Sequence, residues 1–133
     1  MTSSTVFATY NEPFYQAGAR LAYEGSDKFN FELWGTNGYN FFLDKNDDKS
    51  IGLLFNYNLS DNTSISYTNL LGNEQPAGAL RKQFRTYHNL YLNTDFNEKI
   101  YLQLGGDFGS QTNSNLQNRA QGALMYNALA TVR

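Results

Sequence analysis

Few residues in this chain have the type and spacing that catalysis or metal binding requires. His88 is the single histidine and cysteine is absent, so the sequence offers neither thiolate ligands nor a pair of imidazoles for a metal. A catalytic base also needs an oriented partner within hydrogen-bond reach, and the neighbouring positions Thr86 and Leu90 provide none. We therefore interpret His88 as a structural residue.

Two sets of acidic residues have the composition of a cation site or of a glycosidase pair. Residues 44–48, Asp-Lys-Asn-Asp-Asp, have the first spacings of a calcium-binding loop. Lys49 stands where that loop needs glycine, and Phe55 stands where it needs the closing glutamate. Glu24 and Glu32 could act on a glycosidic bond only if they faced each other across a cleft, which nothing in the sequence indicates. We expect a solvated loop at 44–48, with surface calcium binding as the lesser alternative.

The remaining motif and the overall charge also argue against an enzyme. Gly105-Gly106 precedes no helical pattern, so it predicts close packing of strands rather than a phosphate-binding loop. Ten Lys and Arg against twelve Asp and Glu give a formal net charge of −2, which provides no basic face for nucleic acid. The sequence therefore predicts no enzyme, no cofactor, no metal site and no nucleic-acid partner.

Strict alternation of apolar and polar residues is the dominant pattern of the chain. Successive side chains of a strand point to opposite faces, so a period of two predicts strands rather than helices. No run of about 18 apolar residues is present that would predict a transmembrane helix. Seven segments have the alternating pattern: residues 15–24, 29–36, 51–59, 63–71, 84–93, 100–109 and 126–133. The sequence therefore predicts an all-β, antiparallel up-and-down sheet.

The distribution of charge supports this assignment of faces. Apolar residues define the two faces of each predicted strand, so the charged residues are an independent test of that assignment. A slip of one residue would move every side chain of a strand to the opposite face. All charged residues within the predicted strands fall on the polar face: Arg20, Glu24, Glu32, Arg85, Asp107 and Arg133.

Short and long connections alternate along the chain. Residues 25–28, 60–62 and 95–99 form short turns that recur every 35 to 36 residues, so one hairpin with two connectors is the repeating unit. Residues 37–49, 72–83 and 110–123 form long polar loops. Short turns at one rim and long loops at the other are typical of an outer-membrane barrel, in which the short turns are periplasmic.

Three features favour a membrane barrel over a soluble sandwich or a lipocalin-like barrel, which would show the same alternation. Strands of about 9–11 residues match a tilted bilayer crossing. Aromatic residues, whose rings suit headgroup belts, crowd the strand ends, and His88 could meet headgroups there too. The polar face mixes charged, amide and bulky aromatic side chains, as a wet lumen permits. The belt residues are Phe14, Tyr15, Phe84 and Phe108 at the long-loop rim and Tyr23, Phe29 and Tyr57 at the short-turn rim. The pattern alone leaves both alternatives open.

Several short motifs resemble a known family. Residues 12–21, Glu-Pro-Phe-Tyr-Gln-Ala-Gly-Ala-Arg-Leu, together with Gly25–Lys28 and Asn37–Asn40, resemble the OmpL-like β-barrel porins of Gram-negative bacteria. Gly72–Glu74 and Arg85–Leu90 resemble later strands of the same family, and the likeness spans about residues 10–133. The resemblance implies a passive channel for small hydrophilic solutes or ions. The outer-membrane bilayer and lipopolysaccharide would surround it, and whether it forms a homo-oligomer stays open.

The resemblance also implies a longer parent chain. Bacterial single-chain barrels have even strand numbers, and this sequence lacks the aromatic strand end expected at the C-terminus. Residues 1–5 lack the basic start of a signal peptide, so the export signal is expected outside this sequence. We therefore expect one segment of a larger transmembrane barrel, with residues 1–13 leading into strands and loops over 14–133, and first and last strands that do not close on each other.

The residues expected to line the pore are those that alternate away from the aliphatic face. They are Gln16, Arg20, Asn30, Glu32, Trp34, Asn56, Ser66, Arg85, Tyr87, Asn89, Tyr101, Gln103 and Asp107. The rival interpretation is a small soluble or surface β-barrel with the leucines turned inward around an apolar ligand. It requires those leucines to pack together as a core.

Overall fold

The structure is a single antiparallel sheet of seven strands. The computed structural model describes residues 17–37, 48–73, 80–115, 118 and 120–132. The strands are β1 (Gly18–Tyr23), β2 (Phe29–Thr36), β3 (Ser50–Ser60), β4 (Thr63–Asn73), β5 (Phe84–Asn97), β6 (Ile100–Gln111) and β7 (Ala123–Val132). Each strand pairs antiparallel with its neighbours in sequence, in the order β1-β2-β3-β4-β5-β6-β7. The predicted all-β, up-and-down fold is confirmed.

The observed ends of β3, β4 and β6 lie one or two residues beyond the predicted ones, and larger differences occur in β1, β5 and β7. The predicted start of the first strand, residues 15 and 16, lies outside the described residues, and β1 begins at Gly18. β5 continues to Asn97, because a register shift between Asp95 and Asn97 absorbs one extra residue and the hairpin closes over 98–99. β7 begins at Ala123, three residues earlier than predicted, because backbone pairing with Gln111 does not depend on side-chain alternation.

The register assigns every strand residue to one of two faces. Leu21 pairs with Leu33 and Leu33 with Leu53, and this row continues across the sheet through Asn69, His88, Phe108 and Tyr126. Directly paired residues project to the same side of a sheet. We call the side that carries Leu21 the outer face and the side that carries Glu32 the inner face.

In a soluble antiparallel sheet the apolar face is buried and the polar face is exposed to water. Here the burial of the two faces is reversed. On the outer face many large apolar side chains are exposed, among them Leu21 by 65%, Ile51 by 62% and Leu124 by 74%. On the inner face Tyr87, Asn89 and Asp107 retain only 6%, 8% and 3% of their accessible surface. Among the described residues Tyr87 is the one buried apolar side chain, so this sheet has no conventional hydrophobic core.

The two edges of the sheet are free within the described part of the chain. β1 pairs with β2 and β7 pairs with β6, and the two edge strands are not paired with each other. This agrees with the expectation of an open sheet. In the described segments, no helix is long and apolar enough to cross a membrane.

Candidate lumen-facing surface

The inner face brings together the residues that the alternation selected. Gln16 lies outside the described residues, and the other twelve candidates all project from the inner face. Cross-strand pairing explains this, because Asn30 pairs with Asn56 and Asn56 with Ser66, while Asn89 pairs with Asp107. The candidates form two charged clusters joined by neutral amides and hydroxyls.

The first cluster lies on β1 and β2 and contains an exposed ion pair. Nη1 of Arg20 lies 3.1 Å from Oε1 of Glu32. The indole Nε1 of Trp34 donates to Oε2 of Glu32 at 3.0 Å, and the guanidinium of Arg20 lies 5.6 Å from the centre of the Trp34 ring. Both oxygens of Glu32 are therefore engaged, and its side chain is 22% exposed whereas that of Arg20 is 53% exposed. Arg20 is the more accessible charge of the pair.

The second cluster surrounds the buried carboxylate of Asp107 on β6. Oδ1 of Asp107 accepts hydrogen bonds from Nδ2 of Asn89 at 2.6 Å and from the hydroxyl of Tyr91 at 2.7 Å. Oδ2 accepts from Nδ2 of Asn127 at 3.0 Å. Hydrogen bonds to the charged form stabilise a carboxylate without a cation. Side chains of β5, β6 and β7 therefore meet on one acidic group.

The network around Asp107 continues to β4. Nδ2 of Asn89 also lies 3.1 Å from the hydroxyl of Tyr87, and Thr68 donates its hydroxyl to Oδ1 of Asn89 at 2.7 Å. Asn89 therefore uses its donors toward Tyr87 and Asp107 and its acceptor toward Thr68. This arrangement fixes the orientation of the Asn89 amide, and it explains why Asn89 is buried on a polar face.

Smaller contacts join the remaining candidates. Nδ2 of Asn56 donates to Oδ1 of Asn30 at 2.9 Å, and the Tyr101 hydroxyl and Nε2 of Gln103 both donate to Oδ1 of Asn93 at 2.8 and 3.0 Å. Near the long-loop rim, Nε of Arg85 donates to Oε1 of Gln111 at 2.8 Å. These cross-strand contacts join polar side chains of neighbouring strands on the inner face.

Glycines on the inner face make room for aromatic rings. A Cβ atom at Gly105 would collide with the ring of Tyr91 and with the carbonyl oxygen of Leu90. The Tyr91 ring can therefore cross β6 and place its hydroxyl on Asp107 only because Gly105 has no side chain. The predicted close packing of strands at Gly105-Gly106 is confirmed.

A polar cluster lies at the long-loop rim. Nζ of Lys82 lies 2.9 Å from Oδ1 of Asp48, and Nδ2 of Asn73 donates to Oδ2 of Asp48 at 2.6 Å. The hydrogen bonds from Lys82 and Asn73 hold the pKa of Asp48 below its ordinary value. Residues 44–47 of the proposed calcium loop lie outside the described residues. Within the described segments no three acidic or histidine side chains are grouped for a metal.

The candidate set omitted inner-face residues that the structure places in the networks. They are Thr68, Tyr91, Asn93, Gln111 and Asn127. Alternation already assigned most of them to the polar face. Their selection needed the cross-strand register, since each contacts a residue at least eight positions away along the chain.

His88 lies on the outer face, as its position in the alternation required. Its Nδ1 lies 2.8 Å from the hydroxyl of Tyr67, and Nδ2 of Asn69 donates to the same hydroxyl at 3.2 Å. These contacts are all with neutral groups.

An antiparallel meander with an exposed apolar face and a polar inner face defines the class of membrane β-barrel proteins. Residues 1–132 match the model of the family described as "Putative beta-barrel porin-2, OmpL-like". The chain belongs to this family of β-barrel porins, and the suspected resemblance is confirmed. Family membership places the protein in a membrane. Searches of curated proteins and of solved structures gave no significant match.

Proposed function

We propose that this chain forms part of an outer-membrane channel through which small hydrophilic solutes or ions diffuse passively. The family supports a porin, and the alternation of short turns and long loops supports the outer membrane. Solutes would pass along the inner face, and the residues proposed above to line the pore would supply its polar wall. Further strands would complete the barrel at the edges of β1 and β7.

One observation carries the proposal, which is the burial contrast between the two faces. Inner-face groups such as Tyr87, Asn89 and Asp107 are buried and joined by hydrogen bonds, whereas outer leucines such as Leu21 and Leu90 are 65% and 55% exposed. Side chains that are crowded on the inner face and spread apart on the outer face are expected of a sheet whose inner face is concave. The rival soluble barrel needs the leucines packed as a core, and Leu21 and Leu90 are not.

The charges would act on ions according to their accessibility. Arg20 and Glu32 form an ion pair across β1 and β2. The electric field of this pair would act along the inner surface and on ions in the water beside it. Arg85 adds a second cation near the long-loop rim, bonded to neutral Gln111. Coulomb interactions persist within about 10 Å at moderate salt, so these cations would favour anions in a narrow lumen.

The test uses ion selectivity of the full-length protein in planar bilayers. The double variant Arg20→Gln with Arg85→Gln should shift the reversal potential in a salt gradient toward cation preference. A control with Lys28→Gln and Lys99→Gln removes two positive charges from the short turns and should change it far less. Equal reversal potentials for wild type and the Arg20/Arg85 variant would remove these two residues from the solute path. Absence of any conductance would contradict the channel itself.

A further inference from the structure

Three polar side chains interrupt the apolar outer face where β4 and β5 pair. Tyr67, Asn69 and His88 are joined through the Tyr67 hydroxyl, which contacts Nδ1 of His88 at 2.8 Å and Nδ2 of Asn69 at 3.2 Å. The rings of Tyr67 and His88 stack with their centres 6.1 Å apart. Oδ1 of Asn69 accepts a hydrogen bond from the backbone N–H of Leu53 at 3.1 Å. We call these three residues the outer polar patch.

The depth of the outer polar patch is given by the aromatic residues of β5. Exposed Phe84 lies near its long-loop end and exposed Phe96 near its short-turn end, as the two belts of a membrane barrel require. His88 follows Phe84 by four residues and precedes Phe96 by eight. At about 3.3 Å per residue and a tilt of roughly 40°, His88 lies on the order of 10 Å inside the nearer belt. The patch therefore lies in the hydrocarbon region.

Part of the outer polar patch lacks a hydrogen-bond partner. Nε2 of His88 has none within the described residues, and the single contact of Asn69 Nδ2 leaves that amide one hydrogen to donate. Lipid tails offer no donor or acceptor, so each unpaired polar group there is costly. Headgroups cannot reach a depth of about 10 Å without deforming the bilayer. Another protein surface that carries polar groups at the same depth would supply the missing partner.

We propose that the outer polar patch is the contact surface between two copies of this protein in the membrane. The inference rests on the proposed membrane function. Two copies inserted in the same orientation and related by an axis along the membrane normal present the same patch at the same depth. When Nδ1 of His88 is protonated and donates to the Tyr67 hydroxyl, Nε2 is an acceptor and the second Nδ2 hydrogen of Asn69 is a donor. In that tautomer the patch offers one donor and one acceptor, and it is complementary to itself.

The first experiment measures self-association of the full-length protein in liposomes by energy transfer between labelled copies. The variant Tyr67→Phe with Asn69→Leu and His88→Leu should weaken association by about tenfold or more, as expected for the loss of a few interprotein hydrogen bonds. The control Thr63→Val with Thr94→Val removes a hydroxyl pair, 3.4 Å apart, from the same face and should leave association unchanged. Equal association of the patch and control variants would overturn the proposal.

A second experiment avoids altering the patch. This sequence contains no cysteine, so single cysteines can be placed at Leu90, which pairs with Tyr67, and at Leu21 on β1, both exposed. Leu90→Cys should cross-link two copies with a short bifunctional reagent, and Leu21→Cys should not. Equal cross-linking at both positions, or none at Leu90, would contradict the proposal.

Conductance separates this inference from the proposed function. A patch variant that conducts normally but no longer associates supports both statements. If wild type conducts and is monomeric at every protein-to-lipid ratio, the contact surface is wrong and the channel stands. If wild type associates through Leu90 but never conducts, the channel is wrong and the contact surface stands.

Discussion

Asp107 is a carboxylate that neutral groups stabilise in place of a cation. Asn89, Tyr91 and Asn127 each donate to it, and it retains 3% of its accessible surface. A buried charge is tolerated when its hydrogen-bonding capacity is used. Its energetic role is therefore to join β5, β6 and β7, and little of its surface is accessible to solvent.

We expect Asp107→Ala to lower stability more than removal of any one of its donors. The substitution removes the shared acceptor of three donors, and hydrogen bonds to charged groups contribute about 1.5–3 kcal/mol each before relaxation. Urea unfolding from liposomes would measure the loss. Asn127→Ala removes one donor and should cost less. If both variants lost the same free energy of unfolding, Asp107 would not be the centre of the network.

Gly105 on the inner face and Gly35 on the outer face provide a contrast between a crowded and an open glycine position. A Cβ at Gly105 would collide with Tyr91, whereas a Cβ at Gly35 would meet nothing within 4 Å. Gly105→Ala should therefore destabilise the protein by about 1–3 kcal/mol, the usual cost of overpacking. Gly35→Ala should be neutral or slightly stabilising. Denaturant midpoints of both variants would decide, and a neutral Gly105→Ala would show that Tyr91 moves freely.

At the scale of elements, the β5–β6 hairpin depends on one side chain. Oδ1 of Asn97 accepts hydrogen bonds from the backbone N–H groups of Lys99 at 2.9 Å and Ile100 at 3.0 Å. It therefore supplies an acceptor for two backbone donors at the tight turn over 98–99. Ser26 has the same role before β2, where its Oγ accepts from Lys28 and Phe29 at 3.2 and 3.4 Å. Asn and Ser favour turns through such local contacts.

Asn97→Ala should destabilise the β5–β6 hairpin by roughly 1 kcal/mol, because two backbone donors lose their side-chain acceptor. Water at the rim can replace some of the lost hydrogen bonding, which keeps the cost small. Asn97→Asp keeps the acceptor oxygen and should retain most of the stability. Hydrogen exchange of the Lys99 and Ile100 amides is the measurement. Unchanged protection of these amides in Asn97→Ala would show that the turn does not need the side chain.

At the scale of the whole molecule, the orientation of the sheet relative to lipid can be tested with two leucines. Leu33 is 42% exposed on the outer face, and Leu54 lies on the inner face opposite Glu32. Leu33→Arg should weaken folding into liposomes by about 2–4 kcal/mol, the cost of arginine facing mid-bilayer lipid. Leu54→Arg should cost much less, since water and Glu32 can solvate it. Equal costs would mean that the inner face is not wet.

Alternation along the chain determined which residues form strands and which side each one faces. Residues 29–36 were predicted as a strand with the bounds that β2 has, and His88 was placed on the apolar face where β5 carries it. Side-chain direction in a strand is a local property with a period of two. For that reason the antiparallel meander and the composition of its inner face could be predicted from sequence.

Only the tertiary structure decided which inner residues contact one another and which stay accessible. Arg20 and Asp107 have the same signature in the sequence, a charge on the polar face. Arg20 is half exposed beside Glu32, whereas Asp107 is buried among donors from two other strands. Such contacts join residues 12 to 20 positions apart. They depend on the register that turns and bulges set between strands, and a pattern within one strand contains no information about that register.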